Sequence, residues 1–306
     1  MGLSEAPVLA QITSFEDDER GIIVARFHLP FVVASLLGAS RLITGLPAAG
    51  GLLRSAYRIV AEVHLPDDQV ISMRPLSDDP YVVNEIYNWH AYDHCSGVGP
   101  GAVVIDVGAQ IGVFATRMAK MVGPSGLVIA VEPEPENFGL LALNSRRNGG
   151  AAIFAHQMAL GSYVGTCWLL VRTDGHTAGH RVRWLGPGDG LEENGTTSGL
   201  ITQCSTLDAV VNDAHVSRID LIKIDVEGSE LAVLNGASGC LQRFRPRIVL
   251  ESHPQGARRE EIERWLGQAA YSVHENETMP WILCAEPKPE QHNPPVDALV
   301  AGTSGS

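Results

Sequence analysis

Positive charge is what this chain has least of for its size. Its 306 residues hold 22 Lys and Arg against 35 Asp and Glu, a formal charge of −13 at pH 7. A surface this acidic repels phosphate backbones and anionic lipid headgroups, so nucleic acid is not expected as a partner. Cysteine is sparse too: Cys95, Cys167, Cys204, Cys240 and Cys284 are odd in number, far apart and without a C-x-x-C pair. That pattern argues against a disulfide framework or a zinc site and favours a reducing, cytoplasmic setting. No basic-then-apolar leader opens the chain, because Glu5, Glu16, Asp17, Asp18 and Glu19 stand near its start. Long apolar runs are also missing. Residues 21–53 are strongly apolar, but Arg26, His28, Pro30, Arg41 and Pro47 interrupt them. The longest charge-free stretch is about a dozen residues, short of the ~20 that a membrane span needs. The segment reads as helices packed on the domain, with no integral span; a membrane-peripheral contact or a homo-oligomer interface are its other readings.

What is present is a globular composition, 45% hydrophobic and 19% charged, enough to bury a core. Residues 1–20 read as loose, 21–60 as helical in pieces, and 61–75 as two short strands around a Pro-Asp-Asp turn. Residues 78–95 carry Tyr81, Glu85, Tyr87, Trp89 and Tyr92 at helical spacing. After Gly97, Gly99, Pro100 and Gly101 a regular alternation begins. Strands are expected over 103–107, 127–131, 153–160, 221–224 and 247–250, with helices over 113–122, 137–147, to about 234, and 258–268. Strand and helix in turn predict an α/β fold, a doubly wound and mostly parallel sheet, with a partly helical N-terminal extension. The expected divisions are an extension over 1–95, the sheet domain over 96–285 and a frayed tail over 286–306, with residues 172–200 as an irregular insertion.

The first strand ends in Asp106-Val107-Gly108-Ala109-Gln110-Ile111-Gly112, directly before a helix. A dinucleotide fold wants G-x-G-x-x-G as a cradle for pyrophosphate. Here the third glycine is missing and a carboxylate stands in front, which disfavours a nicotinamide dehydrogenase. A cofactor without phosphate that carries an ammonium and a sulfonium suits Asp106 instead. The second strand ends in Glu132-Pro133, where a carboxylate can accept both ribose hydroxyls.

Four blocks then resemble one family, the FkbM-like S-adenosylmethionine-dependent methyltransferases. They are VVIDVGAQIG, VEPEPENFGLLALNSRRN, STLDAVV and DLIKIDVEGSELAVLNGA, followed by RPRIVLESH. The match covers about residues 80 to 255. It implies a class I, Rossmann-like methyltransferase in which Asp106, Gly108, Gln110 and Gly112 line the methionine and ribose part of S-adenosylmethionine. Ala109 and Pro133 fall in the same two segments, Glu132 holds the ribose, and Met158 and Ala159 lie beside the adenine. Gln110 stands where the family usually has Asn, and Ser162 where it has an acid.

Ligands of such a sheet sit at the carboxyl ends of its strands. Lys223, Asp225 and Glu227 leave the fourth strand there; Glu251, Ser252 and His253 leave the fifth. Asp225 or His253 is the candidate base for an acceptor hydroxyl, and Lys223 a further catalytic candidate. A divalent metal such as Mg²⁺ on Asp225 and Glu251 is the alternative, by analogy with catechol-type methyltransferases. The plain readings are that Asp225 caps the next helix and Lys223 pairs with a neighbouring acid. The expected activity is O-methylation of a small molecule, secondary metabolite, saccharide or glycolipid. N-methylation of a small amine and a non-catalytic nucleoside-binding scaffold are the competing readings. His176 and His180 have i, i+4 spacing, but their glycine-rich surroundings do not predict a zinc site.

Overall fold

A computed structural model describes residues 11–17, 23–29, 57–93, 97–148, 151–172, 180–183, 197–252 and 257–289. His253, Cys95 and most of the apolar segment 21–53 lie outside the described residues. The core is a seven-stranded sheet whose five parallel strands are β5 (Val103–Val107), β6 (Leu127–Val131), β7 (Ala152–His156), β12 (Leu221–Ile224) and β13 (Arg247–Glu251). Their spatial order is β13-β12-β5-β6-β7. Two strands not expected from the sequence, β14 (Tyr271–Glu275) and β15 (Ile282–Pro287), extend the β13 edge antiparallel. Val103, Val104, Ile105 and Val107 are buried, as a strand covered on both faces requires. Helices α2 (Val113–Val122) and α3 (Pro135–Arg147) cover one face. The other is covered by α4 (Leu207–Asp213), α5 (Glu230–Asn235), α6 (Ser238–Phe244) and α7 (Ala257–Gln268). This is the doubly wound architecture. Its strand order reverses between β5 and β12, so the ligand crevice opens there.

The N-terminal extension departs from its reading. Residues β1 (Gln11–Asp17) and β2 (Ile23–Leu29) are strands, in a sheet of order β1-β2-β3-β4 with β3 (Tyr57–His64) and β4 (Val70–Met73). Residues 23–29, IVARFHL, begin with β-branched side chains, which favour an extended backbone over a helix. The helical part of the extension is α1 (Asp79–Tyr87). Asn144 of α3 and Asn148, which caps its C-terminal end, dock the small sheet by imitating a strand partner. The Asn144 side chain accepts from Ser72 N at 2.8 Å and donates to Ser72 O at 3.0 Å, and Asn148 does the same for Val70 at 2.8 and 3.0 Å. A strand edge is thereby satisfied without a further strand.

The insertion is not irregular throughout. Within it, β10 (Arg181–Arg183) and part of β11 (Thr197–Ser205) pair with β9 (Gly165–Arg172) in a sheet that also includes β8 (Ala159–Leu160). Cys284 is disulfide-bonded, contrary to the expectation from cysteine spacing, because distance along the chain does not bound distance in the fold. The cysteine pattern therefore no longer argues for a reducing compartment. Among the described residues no helix is long and apolar enough to cross a membrane.

Candidate functional site

The sheet's reversal point places Asp106 opposite Lys223 and Val107 opposite Ile224 in register. Immediately beyond them the chain after β5 crosses the chain after β12. Gly108 has φ +81°, and a Cβ there would sit 1.8 Å from the Asp225 carbonyl oxygen, so only glycine allows the crossing. An open cleft of about 720 Å³, solvent at its mouth included, lies above this point.

One wall of the cleft is the nucleoside side. Gly108, Ala109, Gln110, Glu132, Pro133 and Asn137 line it. Glu132 is buried, and its two carboxyl oxygens accept from Gln110 N and Glu134 N at 2.9 Å each. Asn137 adds a side-chain hydrogen bond to this carboxyl, which leaves one of its four acceptor sites for a ribose hydroxyl. Burial pushes the Glu132 carboxyl up to about 7, against the two backbone donors that pull it down. Gln110 has φ +51°, an uncommon conformation for a residue with a side chain. It is held from outside the nucleotide motif: its amide donates to Asp79 Oδ1 at 2.8 Å, and Asp79 is paired with Arg74 at 2.8 and 2.9 Å. Arg74 also donates to Asn137 Oδ1 at 2.6 Å. The extension thus braces the cofactor loop directly.

The opposite wall is acidic and aromatic. Glu85, Ile86, Tyr92, Phe114, Lys223, Asp225 and Glu227 line it, with His180 and Val182 brought in by the small sheet. Lys223 is buried, with Nζ 3.2 Å from Asp106 Oδ1, 3.2 Å from Gly108 O and 3.5 Å from Asp225 Oδ2. Burial alone would depress its ammonium, but Asp106, Asp225 and Glu85 outweigh that and hold it above the ordinary lysine value. Lys223 therefore stays a cation and ties the two crossing loops together. Burial, with repulsion from Asp225 and Glu85, pushes the Glu251 carboxyl up to about 10, and it is hydrogen-bonded to Asp225. Burial and Asp225 likewise push Glu85 up to about 8. Tyr81 is raised to about 12, first by burial and then by Glu85, Glu251 and Asp225. The Asp225 side chain remains about a quarter exposed, at 25%.

Residues 106–273, more than half of the chain, match the Methyltransferase FkbM domain. The chain belongs to the FkbM methyltransferase family. It is similar to Methyltransferase sdnD of Sordaria araneosa, 26% identical over 214 residues that cover 63% of this chain and 82% of that protein. It is 27% identical over 216 residues to the 31-O-demethyl-FK506 methyltransferase FkbM of Streptomyces tacrolimicus, covering 64% of this chain and 82% of that one. With the Hexuronic acid methyltransferase AglP of Haloferax volcanii it shares 28% identity over 172 residues, 56% of this chain and 64% of the other. A solved FkbM structure from Methylobacillus flagellatus superposes with a TM-score of 0.42 at 16% identity, covering 68% of this chain and 54% of that one.

This FkbM-family chain is an S-adenosylmethionine-dependent methyltransferase, and its cleft fits that cofactor. Gly108 leaves backbone room, Glu132 keeps acceptor capacity for a ribose, and the five-residue turn from Gly108 to Gly112 lacks the third glycine of a pyrophosphate cradle. Of the residues singled out from sequence, Gly108, Ala109, Gln110, Glu132, Pro133, Lys223 and Asp225 meet at the cleft. Asp106 and Gly112 are buried behind it, and Asp106 reaches the site through Lys223. Met158 is half-buried and Ala159 buried, neither on the cleft wall. His253 lies outside the described residues. Among the described residues no three His, Cys, Asp or Glu are grouped to hold a metal ion. Asp225 and Glu251, the two residues singled out for a divalent metal, are hydrogen-bonded to each other. Asn137 stands in one of the blocks that carry the resemblance and His180 in the His176/His180 pair, but the sequence assigns neither to the cofactor or acceptor site, and Glu85 carries no motif signal. Glu85 stood in the aromatic stretch at helical spacing, and only the packing of α1 over the reversal point turns it inward.

Proposed function

We propose that this methyltransferase methylates a hydroxyl oxygen of a small-molecule or saccharide acceptor, with Asp225 as the base. The observation that carries the reading is the placement of Asp225. It is a carboxylate about a quarter exposed on the cleft wall, beside the loop that meets the cofactor, steadied by the Lys223 ammonium at 3.5 Å and by a hydrogen bond from Glu251. Bound S-adenosylmethionine supplies a methyl group on a positively charged sulfur. The acceptor oxygen bonds to that carbon as the carbon–sulfur bond breaks, the electron pair stays on sulfur, and the hydroxyl proton passes to Asp225. Glu251, protonated at neutral pH, donates to Asp225 and fixes which oxygen faces the acceptor. Two of the similar proteins are named for acting on 31-O-demethyl-FK506 and on a hexuronic acid, which supports a small-molecule or sugar acceptor here. The test is methyl-labelled cofactor incubated with the protein and a small-molecule extract of the native cells. Label is expected in alkali-stable ethers, to be lost at least ~100-fold in Asp225→Asn and retained in the presence of a chelator. Label in alkali-labile esters or in methylamines refutes the hydroxyl reading. Label lost to the chelator restores the metal.

A further inference from the structure

S-adenosylmethionine carries an α-ammonium at its methionine end, and the nucleoside wall accounts only for the other end. The acid expected from sequence to face that charge is Asp106. The structure has committed it elsewhere. Asp106 is fully buried and does not line the cleft, and its Oδ1 accepts from Lys223 Nζ at 3.2 Å. The Gly108 carbonyl, on the loop after β5, accepts from the same lysine at 3.2 Å. Asp225 faces Lys223 at 3.5 Å and is hydrogen-bonded to Glu251, and Glu227 is already engaged within the protein. Glu85 of α1 is the acid of the cleft wall that remains. It lines the cleft and is 7% exposed. Its charged neighbours Asp225, Lys223 and Glu227 act on it through space, without a hydrogen bond.

A second observation is independent of the acids. Tyr92 lines the same cleft and is 2% exposed, and its hydroxyl has no hydrogen-bond partner among the described residues. Glu85 exerts the strongest field on that hydroxyl, so the two groups face one place. A buried phenol without a partner marks a spot where a ligand group completes the bonding. Without ligand, burial keeps a proton on Glu85 and so relieves its charge. An arriving ammonium takes that proton's place. It donates one N–H to the Glu85 carboxylate and another to the Tyr92 oxygen, and the displaced proton leaves to solvent. The sulfonium has no N–H to give, and the cofactor's own carboxylate would meet the charge of Asp225. The amine of the methionine end is therefore the group that faces α1. Every turnover brings it to this cleft, so no charge on the acceptor is needed.

We propose that Glu85 and the Tyr92 hydroxyl seat the α-ammonium of S-adenosylmethionine, so that the N-terminal extension, outside the matched residues 106–273, holds the cofactor's amino-acid end. This rests on the S-adenosylmethionine dependence stated above and assigns two further binding residues to it. The test is isothermal titration calorimetry with four adenosine thioethers. S-adenosylhomocysteine has both end charges, the aminopropyl thioether keeps only the amine, the carboxypropyl thioether keeps only the carboxylate, and methylthioadenosine has neither. The native protein is expected to bind the aminopropyl compound at least ~10-fold more tightly than the carboxypropyl one. Glu85→Gln and Tyr92→Phe should each weaken S-adenosylhomocysteine and the aminopropyl compound by about tenfold, while methylthioadenosine binds as it does to the native protein. Equal binding of the two singly charged compounds, a preference for the carboxypropyl one, or an amine preference that survives Glu85→Gln overturns the proposal. So does a variant that loses methylthioadenosine to the same degree as S-adenosylhomocysteine, because the effect is then not on the amine. Failure of the native protein to bind any of the four is a different result, and it removes the cofactor reading itself.

Discussion

Glu85→Gln should make the ligand-free protein more stable by an amount that grows from about pH 4.5 and is full above about pH 8. Glu85 is 7% exposed, and burial with repulsion from Asp225 lifts its carboxyl from 4.5 to about 8. Glu227 adds to the rise and Lys223 opposes it. A group whose folded value lies above its unfolded one stabilises the fold fully below the unfolded value. That stability is lost as the pH rises through the folded value. The window here runs from about pH 4.5 to pH 8. Each pH unit costs about 1.4 kcal/mol, so the full penalty is on the order of 5 kcal/mol. Glutamine cannot ionise and escapes it. For a domain of this size about 1 kcal/mol moves the melting temperature by ~2–4 °C, so the variant should melt some 10 °C higher at pH 9 and within a degree or two of native at pH 5. Scanning calorimetry of both proteins without ligand, at pH 5, 7 and 9, gives the comparison. A difference that does not change with pH, or a variant less stable at pH 9, refutes the claim that burial holds Glu85 as an uncharged acid in the folded protein.

Two further substitutions test how the cofactor loop is built. Gly108→Ala puts a Cβ 1.8 Å from the Asp225 carbonyl at φ +81°; calorimetry should show loss of S-adenosylhomocysteine binding, and thermal denaturation a lower melting temperature. Asp79→Asn removes the charge that pairs with Arg74 and leaves one acceptor oxygen where Arg74 and the Gln110 amide now share two. Breaking a buried pair this way costs about 3–5 kcal/mol, and chemical denaturation together with a weaker Kd for S-adenosylhomocysteine should report it.

The parallel strands were legible because each is a short apolar run that must be covered on both faces, as in Val103 to Val107. The nucleoside side was legible for a related reason: Gly108 and Glu132 each close a strand and are placed by local geometry alone. What stayed hidden depends on long-range packing. Residues 271–275 and 282–287 form edge strands whose antiparallel pairing leaves little mark in composition. Ile23–Leu29 was read as helix because its apolar density masks an extended preference. His180 and Glu85 reach the cleft from a small sheet and from the N-terminal extension, elements far from any motif. The Asp79–Gln110 bond joins residues 31 apart, across a boundary where separate units were expected.

The central claim is a cleft that grips a sulfonium nucleoside by its ribose through Glu132. Isothermal titration calorimetry with S-adenosylhomocysteine and with NAD, on the native protein, Glu132→Gln and Glu132→Ala, addresses it most directly. The native protein should bind S-adenosylhomocysteine and not NAD. Both variants should bind it at least ~10-fold more weakly, Ala more so than Gln, because Gln keeps one acceptor oxygen. Binding of NAD in its place, or S-adenosylhomocysteine affinity untouched by either substitution, would contradict the account.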